Sequence, residues 1–247
     1  MNKPDTRKAA RWVLDQILPP TCCGCGVVLP EPHALCGDCW GTVTFLGEPC
    51  CNACGHPFEY EIPEQTLCGR CISHPPAFDR ARSAVEYNAT SKDFILAFKH
   101  ADATDMAQLL GKWMKVASGD LMQSCDVIIP VPLHWTRLLS RRYNQSAMLA
   151  LALSKITGKP VFVDALVRHR KTKSQGHLGM TARKKNVNGA FRIKPKHRSF
   201  MKNKRILLID DVYTTGATVN ATAKVLKRAG AVGVDVLTVA RVVKNNS

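Results

Sequence analysis

Residues 205–218 read RILLIDDVYTTGAT, and this stretch decides the fold class. The apolar run 206–209 is typical of a buried strand in a parallel sheet. Two adjacent acids, Asp210 and Asp211, are predicted to end that strand. A polar loop follows, and apolar residues at helical spacing then predict a helix that stops at Gly230. The stretch is therefore predicted to form a strand, a loop and a helix.

A loop between a strand and a helix exposes backbone N–H groups beside the positive end of the helix dipole, which favours a phosphate. The donors offered here come from Thr214, Thr215, Gly216, Ala217 and Thr218. The two acids before the loop suit a diol, a Mg²⁺ ion or both, rather than a second phosphate. Phosphate at one end and vicinal hydroxyls at the other describe a ribose 5-phosphate.

The segment IDDVYTTGAT resembles the motif that binds phosphoribosyl diphosphate in type I phosphoribosyltransferases. It lacks the Gly-Lys-Ser/Thr of a P-loop and the GxGxxG of a dinucleotide fold. The alternative is an ordinary strand–turn–helix with a polar loop, which paired acids followed by Thr-Thr-Gly disfavour.

Cysteine spacing predicts a second kind of site. Ten of the 11 cysteines lie between Cys22 and Cys71, and eight of them form four CxxC pairs. The pairs are Cys22/Cys25, Cys36/Cys39, Cys51/Cys54 and Cys68/Cys71. Two such knuckles give the four thiolates of a closed tetrahedral zinc site, so we expect two structural Zn²⁺ ions. Consecutive and interleaved pairing of the knuckles both fit the spacing.

Three alternatives to zinc are weaker. Disulfides require an oxidising compartment, yet no secretory signal precedes the cysteines. Iron–sulfur clusters do not call for such evenly repeated pairs, and a redox CxxC would be single. Cys23 and Cys50 are expected not to bind metal, and Cys125 is expected to be a buried thiol.

The chain changes character near residues 75–76. We expect an amphipathic helix in residues 1–20 (its helical part at 6–18), a double zinc-ribbon module in 21–76 and a phosphoribosyltransferase domain in 77–247. Strands alternating with helices predict an α/β fold with a parallel sheet flanked by helices. Strands are predicted at 82–87, 126–131, 161–163, 165–167, 205–209 and 232–239. No apolar run approaches the ~20 residues of a membrane span, so no membrane insertion is expected.

The net charge of +16 is concentrated in one segment. Residues 134–205 hold 19 Lys or Arg and a single acid, Asp164, whereas the rest of the chain is nearly neutral. A solvated face would normally intersperse acids with the bases. The segment therefore indicates a polyanionic partner, namely nucleic acid, a diphosphate or both.

Two further stretches add to the resemblance: PVPLHWTRLLSRRYNQ at 130–145 and RKTKSQGHLGMTARKKNVNGAF at 170–191. With the cysteine pairs and the acidic strand end, in this order, they resemble the ComF/GntX family of phosphoribosyltransferase-like proteins. The resemblance extends from Leu18 to Ala240. One departure is Arg142-Tyr143, where the family commonly has Gly-Phe.

The resemblance implies roles for these residues. Asp210 and Asp211 would hold the ribose hydroxyls, directly or through Mg²⁺, and 214–218 would hold the 5-phosphate. The residues facing the diphosphate would be Pro132, Leu133, His134, Arg137, Arg141 and Arg142. Residues 170–188 would form a mobile loop whose Lys171, Lys173 and Arg183 neutralise the leaving group. The alternative for this segment is a basic loop that only contacts nucleic acid.

The resemblance also implies a cytoplasmic role in DNA uptake and natural transformation. Expected partners are phosphoribosyl diphosphate, single-stranded DNA, and competence or recombination proteins. Two hypotheses remain open. The first is an enzyme that transfers phosphoribosyl to an unidentified acceptor, and the second is a non-catalytic nucleic-acid-binding accessory that uses the pocket as a ligand sensor.

Overall fold

The computed structural model describes residues 19–100, 104–134, 138, 143–170 and 186–243. The strands are β1 Ala81–Glu86, β2 Val127–Pro130, β3 Leu166–Arg168, β4 Phe191–Ile193, β5 Arg205–Tyr213 and β6 Gly233–Arg241. The helices are α1 Gly37–Gly41, α2 Gly69–Ser73, α3 Ala89–His100, α4 Thr104–Ser118, α5 Leu121–Ser124, α6 Gln145–Thr157 and α7 Ala217–Arg228. Two 3₁₀ turns, Pro195–His197 and Ser199–Met201, connect β4 to β5.

The main sheet has the order β1-β6-β5-β2, and all of its strands are parallel. Residues 206–209 of β5 are completely buried because strands and helices cover them on every side. The predicted parallel α/β fold is therefore confirmed. The prediction that the two acids end the strand was wrong, since β6 continues to pair with β5 beyond them, as far as Tyr213.

Helices cover the two faces of the sheet unequally. Apolar side chains of α3, α4 and α6 form a cluster on one face, with Leu110, Met114 and Leu149 fully buried. The opposite face is covered by α7, whose Ala223 and Leu226 are also fully buried. The connection after β2 therefore crosses one face of the sheet, and the connection after β5 crosses the other.

The chain between β2 and β5 departs from the predicted strands. Val161 makes a single parallel bridge with Ile128, and β3 pairs with β4 in a separate antiparallel ribbon. A turn between these segments is held by Asp164, which accepts a bond of 3.1 Å from Lys194 and approaches Nε2 of His197 at 2.8 Å. This turn redirects the chain, so the strand predicted at 161–163 adds only that one bridge to the main sheet, and the strand predicted at 165–167 pairs with β4 instead.

The cysteine-rich segment wraps around the β1 edge of the sheet. Phe45 forms an antiparallel bridge with Val85, and the backbone N–H of Leu46 donates to the carbonyl of Ala84 at 2.9 Å. Backbone groups that would otherwise be exposed along this edge are thereby paired.

Each half of the cysteine-rich segment packs on a different face. Cys51, Cys54 and Cys71 belong to the apolar cluster that also contains Phe78 and Ala81. On the other face, the ring of Phe45 lies 5.2 Å from that of Trp113, and Cys23, Leu35 and Val43 pack against the helical cluster there. The sheet edge therefore lies between the two halves.

The predicted helix at residues 6–18 lies outside the described residues. Among the described residues, no helix combines the length and the apolar character needed to cross a membrane.

Gly26 and Gly55 each follow the second cysteine of a knuckle, one in each half of the cysteine-rich segment. Substituting them tests how closely the second half packs on the sheet. Gly26 and Gly55 have φ values of 78° and 69°, but a Cβ at Gly55 would lie 2.4 Å from the carbonyl oxygen of Ala81, whereas one at Gly26 would meet no described heavy atom within 4 Å. We expect Gly26→Ala to cost about 1 kcal/mol for its left-handed backbone. Gly55→Ala should cost about 2 kcal/mol more because of the overlap. Urea unfolding followed by circular dichroism measures both, and equal losses would contradict the packing described.

Candidate functional site

The carboxyl ends of β2 and β5 border a crevice. These strands are neighbours, but the loop after β2 leads to α6 on one face and the loop after β5 leads to α7 on the other. Adjacent loops that diverge in this way leave an opening, and open α/β sheets bind ligands at such a point. Residues 131–134 and 210–218 lie at this edge.

Asp210 and Asp211 lie where the pairing of β5 with β2 ends, and both are half-buried. The Asp210 Oδ1 accepts bonds of 3.0 Å from the Ser146 hydroxyl and from the backbone N–H of Asp211. The Asp211 Oδ1 accepts a bond of 2.7 Å from the backbone N–H of Val212. These bonds orient both carboxylates, whose oxygens are the ligand type that Mg²⁺ and sugar hydroxyls take.

Ser146 is a site residue that the sequence reasoning missed. It lies in the first turn of α6, where Asn144 caps the helix by accepting a 3.1 Å bond from the Ser146 backbone N–H. The Asn144 amide also donates to the carbonyl of Val131 at 3.1 Å, which ties the helix start to the end of β2. The capping signal of Asn-Gln-Ser before a helical pattern was present in the sequence.

The loop after β5 has the geometry of an anion site. Gly216 caps α7 with φ of 71°, and a Cβ there would lie 2.5 Å from the Tyr213 hydroxyl oxygen. Only glycine meets both conditions. The first backbone N–H groups of α7 have no carbonyl partner within the helix, and the Thr215 hydroxyl accepts from the N–H of Ala217 at 3.4 Å. Residues 214–218 thus place donors and a helix dipole at the crevice.

The other predicted ligand residues divide into two groups. Pro132, Leu133 and His134 follow β2 at the crevice edge, with His134 only 5% exposed. The remaining residues, which lie outside the described ranges, are Arg137, Arg141, Arg142, Lys171, Lys173 and Arg183.

The base of the predicted mobile loop is closed by Arg170. Its guanidinium donates to the carbonyl of Asn188 at 2.5 Å and to that of Asn186 at 3.2 Å. The neighbouring Arg168 is buried and its guanidinium lies 5.3 Å from the ring centre of Phe191. The described residues on either side of residues 171–185, Arg170 and Asn186–Asn188, therefore lie close together beside the β3–β4 ribbon.

The four CxxC pairs form two groups of four thiols. One group is Cys22, Cys25, Cys36 and Cys39, and the other is Cys51, Cys54, Cys68 and Cys71. Within each group all Sγ atoms lie within 4.8 Å of one another. The Sγ distances are 3.6 Å for Cys25–Cys36 and 3.7 Å for Cys54–Cys68. Tetrahedral Zn²⁺ with Zn–S of about 2.3 Å requires separations of about 3.8 Å, so both groups fit zinc.

The grouping answers the question that spacing left open: each metal site is built from consecutive pairs. The eight cysteines of these pairs are free thiols rather than disulfides. Burial distinguishes the groups, since three of the four cysteines are buried in the second site and one in the first.

Hydrogen-bond donors favour a thiolate in each site. Burial alone would raise the pKa of Cys22, but N–H groups that donate to its Sγ, including those of Gly24 at 3.3 Å and Cys36 at 3.2 Å, lower the pKa to about 6. The pKa of Cys51 is lowered to about 4, chiefly by a hydrogen bond from the Cys54 thiol. Metal ligation requires thiolates, so these bonds favour binding.

The three remaining cysteines lie outside both groups. Burial raises the pKa of Cys50 to about 11 and also raises that of Cys125, which is 2% exposed. Cys125 is thus the buried thiol that was expected.

Comparison with known proteins agrees with the two Cys₄ groups. Residues 13–72 match the family described as the double zinc ribbon domain. The chain is 30% identical to the DNA utilization protein YhgH of Shigella flexneri, over 89% of this chain and 96% of that protein. It is 28% identical to competence protein F of Haemophilus influenzae, over 85% of this chain and 91% of that protein.

Among solved structures, the chain is similar to the orotate phosphoribosyltransferase of Aeropyrum pernix. The identity is 17%, the TM-score is 0.33, and the match covers 64% of this chain and 80% of the other.

Zinc content tests the assignment of the metal ligands. The wild-type protein should contain two zinc ions, and Cys36→Ser should contain one, because a Cys₄ site that loses one thiolate binds far more weakly. Cys23→Ser is the matched control, since Cys23 is next to a ligand but outside both groups, and it should retain two. Elemental analysis of the purified proteins measures this. Two zinc ions in Cys36→Ser, or iron in the wild type, would contradict the assignment.

Proposed function

The chain belongs to the family of the DNA utilization protein YhgH and competence protein F, and on this premise we propose that it binds phosphoribosyl diphosphate in the crevice between β2 and β5 and binds single-stranded DNA through its basic segment. The names of these relatives place them in DNA utilization and competence. The proposed setting is therefore DNA uptake and natural transformation in the cytoplasm, together with competence or recombination proteins.

One observation supports the ligand most strongly: oriented paired carboxylates and a helix N-terminus lie at the same crevice. Residues 214–218 would bind the 5-phosphate through backbone and hydroxyl donors. Asp210 and Asp211 would bind the ribose hydroxyls or a Mg²⁺ ion, which neutralises diphosphate charge when bound. Residues 132–134, beside the acids at the end of β2, would face the diphosphate.

The chemistry that this ligand permits is transfer of its phosphoribosyl group. The C1–O bond breaks, diphosphate leaves with the electron pair, and a nucleophilic acceptor bonds to C1 and releases a proton. Positive charge develops on the ribose, so the nearby carboxylates stabilise it electrostatically. Lys171, Lys173 and Arg183 would neutralise the leaving diphosphate, and closure of the 170–188 loop would exclude water.

The transfer reaction is tested by diphosphate release. Labelled phosphoribosyl diphosphate, Mg²⁺ and candidate acceptors, single-stranded DNA included, are incubated with the protein. Release that depends on one acceptor identifies an enzyme. Tight binding with no release for any acceptor would instead support the ligand-sensor alternative.

DNA binding is proposed from the charge of residues 134–205. Described members of this segment include exposed Lys196, Arg198 and Lys202. Phe191 is only 5% exposed, so base stacking on this ring is excluded in the described conformation. Phosphate contacts should therefore contribute more than stacking, which gives salt-sensitive binding with little sequence preference.

Replacing both acids tests the ligand assignment. Asp210→Ala with Asp211→Ala should weaken Mg²⁺-dependent binding of phosphoribosyl diphosphate at least 100-fold, about the loss of two charge-assisted hydrogen bonds. Asp38→Ala with Asp93→Ala removes two exposed acids elsewhere and should leave the affinity unchanged. Calorimetry measures both, and wild-type affinity in the first variant would exclude these acids from the site.

Charge reversal tests the DNA assignment. Lys171, Lys173, Lys184 and Lys185 changed to Glu should abolish most single-stranded DNA binding and flatten its salt dependence, because fewer counterions are released. The control reverses four exposed lysines outside the segment, namely Lys92, Lys112, Lys115 and Lys224. Fluorescence anisotropy at several salt concentrations measures both. Equal losses in the two variants would mean that net charge, rather than the segment, determines binding.

A further inference from the structure

The two zinc sites have the same local structure. In each, the backbone N–H of the third cysteine donates to the Sγ of the first at 3.2 Å, from Cys36 to Cys22 and from Cys68 to Cys51. In each, the third cysteine occupies the N-cap position of a five-residue helix, α1 in the first site and α2 in the second. The segment is therefore a structural repeat, and differences between its halves report what each half does.

One difference lies inside the second knuckle of each site. The first reads Cys-Gly-Asp-Cys at 36–39, and the second reads Cys-Gly-Arg-Cys at 68–71. The variable residue is Asp38 in the first site and Arg70 in the second. These otherwise matched positions therefore carry opposite charges.

Arg70 contacts the loop after β5. Its guanidinium Nη2 donates a hydrogen bond to the backbone carbonyl of Thr215. Arg70 is held between Cys68 and Cys71, both of which belong to the second metal site. The position of the guanidinium, and of the loop carbonyl that it binds, therefore depends on the geometry of the Cys₄ group.

A second connection runs through β6. The Arg241 guanidinium, 4% exposed, donates to the carbonyl of Cys54 and lies 4.0 Å from the Cys54 Sγ. The same guanidinium lies 5.0 Å from the ring centre of Tyr213. The Tyr213 hydroxyl in turn is in close contact with Gly216. The second metal site is thus linked to Thr215 through Arg70, and to Gly216 through Arg241 and Tyr213.

We propose that Arg70 is a positioning residue for the 214–218 loop, so that zinc at the second site and the phosphoribosyl ligand at this loop stabilise each other's binding. The ligand half of this statement rests on the proposed function. The first zinc site takes no part in this coupling, because Asp38 occupies the equivalent position. Linkage is reciprocal, so the factor by which zinc strengthens ligand binding equals the factor by which ligand strengthens zinc binding.

The positioning role is tested first without ligand. Amide hydrogen exchange at residues 214–218 should be faster in Arg70→Ala, and faster still after chelation of zinc, because the loop carbonyl loses its donor. Arg70→Lys retains a charged donor and should restore most of the protection. Asp38→Ala is the matched control and should exchange as the wild type does. Wild-type exchange in Arg70→Ala would overturn the positioning role, whatever the ligand.

The coupling is tested with phosphoribosyl diphosphate and Mg²⁺. Calorimetry should give about tenfold weaker binding in Arg70→Ala, the effect of one hydrogen bond to a charged group. Arg70→Asp copies the first knuckle and should bind more weakly again, while Asp38→Ala should match the wild type. With a colorimetric chelator, ligand should slow release of one of the two zinc ions in the wild type, and should slow it less in Arg70→Ala, where only the route through Arg241 remains.

The outcomes separate this proposal from the proposed function. If the wild type binds no phosphoribosyl diphosphate, the proposed function and the ligand half fail together, and hydrogen exchange still decides the positioning role. If the wild type binds it and Arg70→Ala has the same affinity and the same zinc-release kinetics, the coupling alone is wrong.

Discussion

The central position of β5 in the parallel sheet is the constraint on which the rest of the structure depends. Residues 206–209 are completely buried, and register places Ile209 opposite Pro130 of β2 and Asp210 opposite Thr238 of β6. Because β2 ends at Pro130, the two acids lie where the pairing of β5 with β2 has ended and its pairing with β6 continues. The crevice, the orientation of the carboxylates and the start of α7 all follow from this stagger.

The cysteine-rich segment contributes to the same architecture in a way that composition alone does not reveal. Metal sites can replace a hydrophobic core in a segment this short, and the second site is also part of the larger core, with Cys51 completely buried. Phe45 pairs with β1 between the two halves. The segment therefore closes an edge of the sheet and reaches the crevice, rather than forming a separate appendage.

The acidic residues at the two ends of the sheet have different partners. The amino end of the sheet holds Asp235, which is completely buried and ion-paired with Arg205 at 3.1 Å. At the carboxyl end, hydroxyl and backbone donors orient Asp210 and Asp211. A general excess of basic residues attracts polyanions over long range, whereas the two acids at the crevice favour a ligand that also presents a diol or a bound cation.

The sequence by itself determined the parallel α/β class, the strand–loop–helix around Asp210 and Asp211, and the eight paired cysteines, because hydrophobic periodicity, glycine placement and CxxC spacing are local signals. It did not determine how far β5 extends, since pairing with β6 keeps the acids within the strand. Nor did it identify Ser146, Arg70 or the consecutive grouping of the knuckles. Those depend on contacts between residues far apart in the chain, up to 145 positions for Arg70 and Thr215, and only the packed tertiary structure brings such groups together.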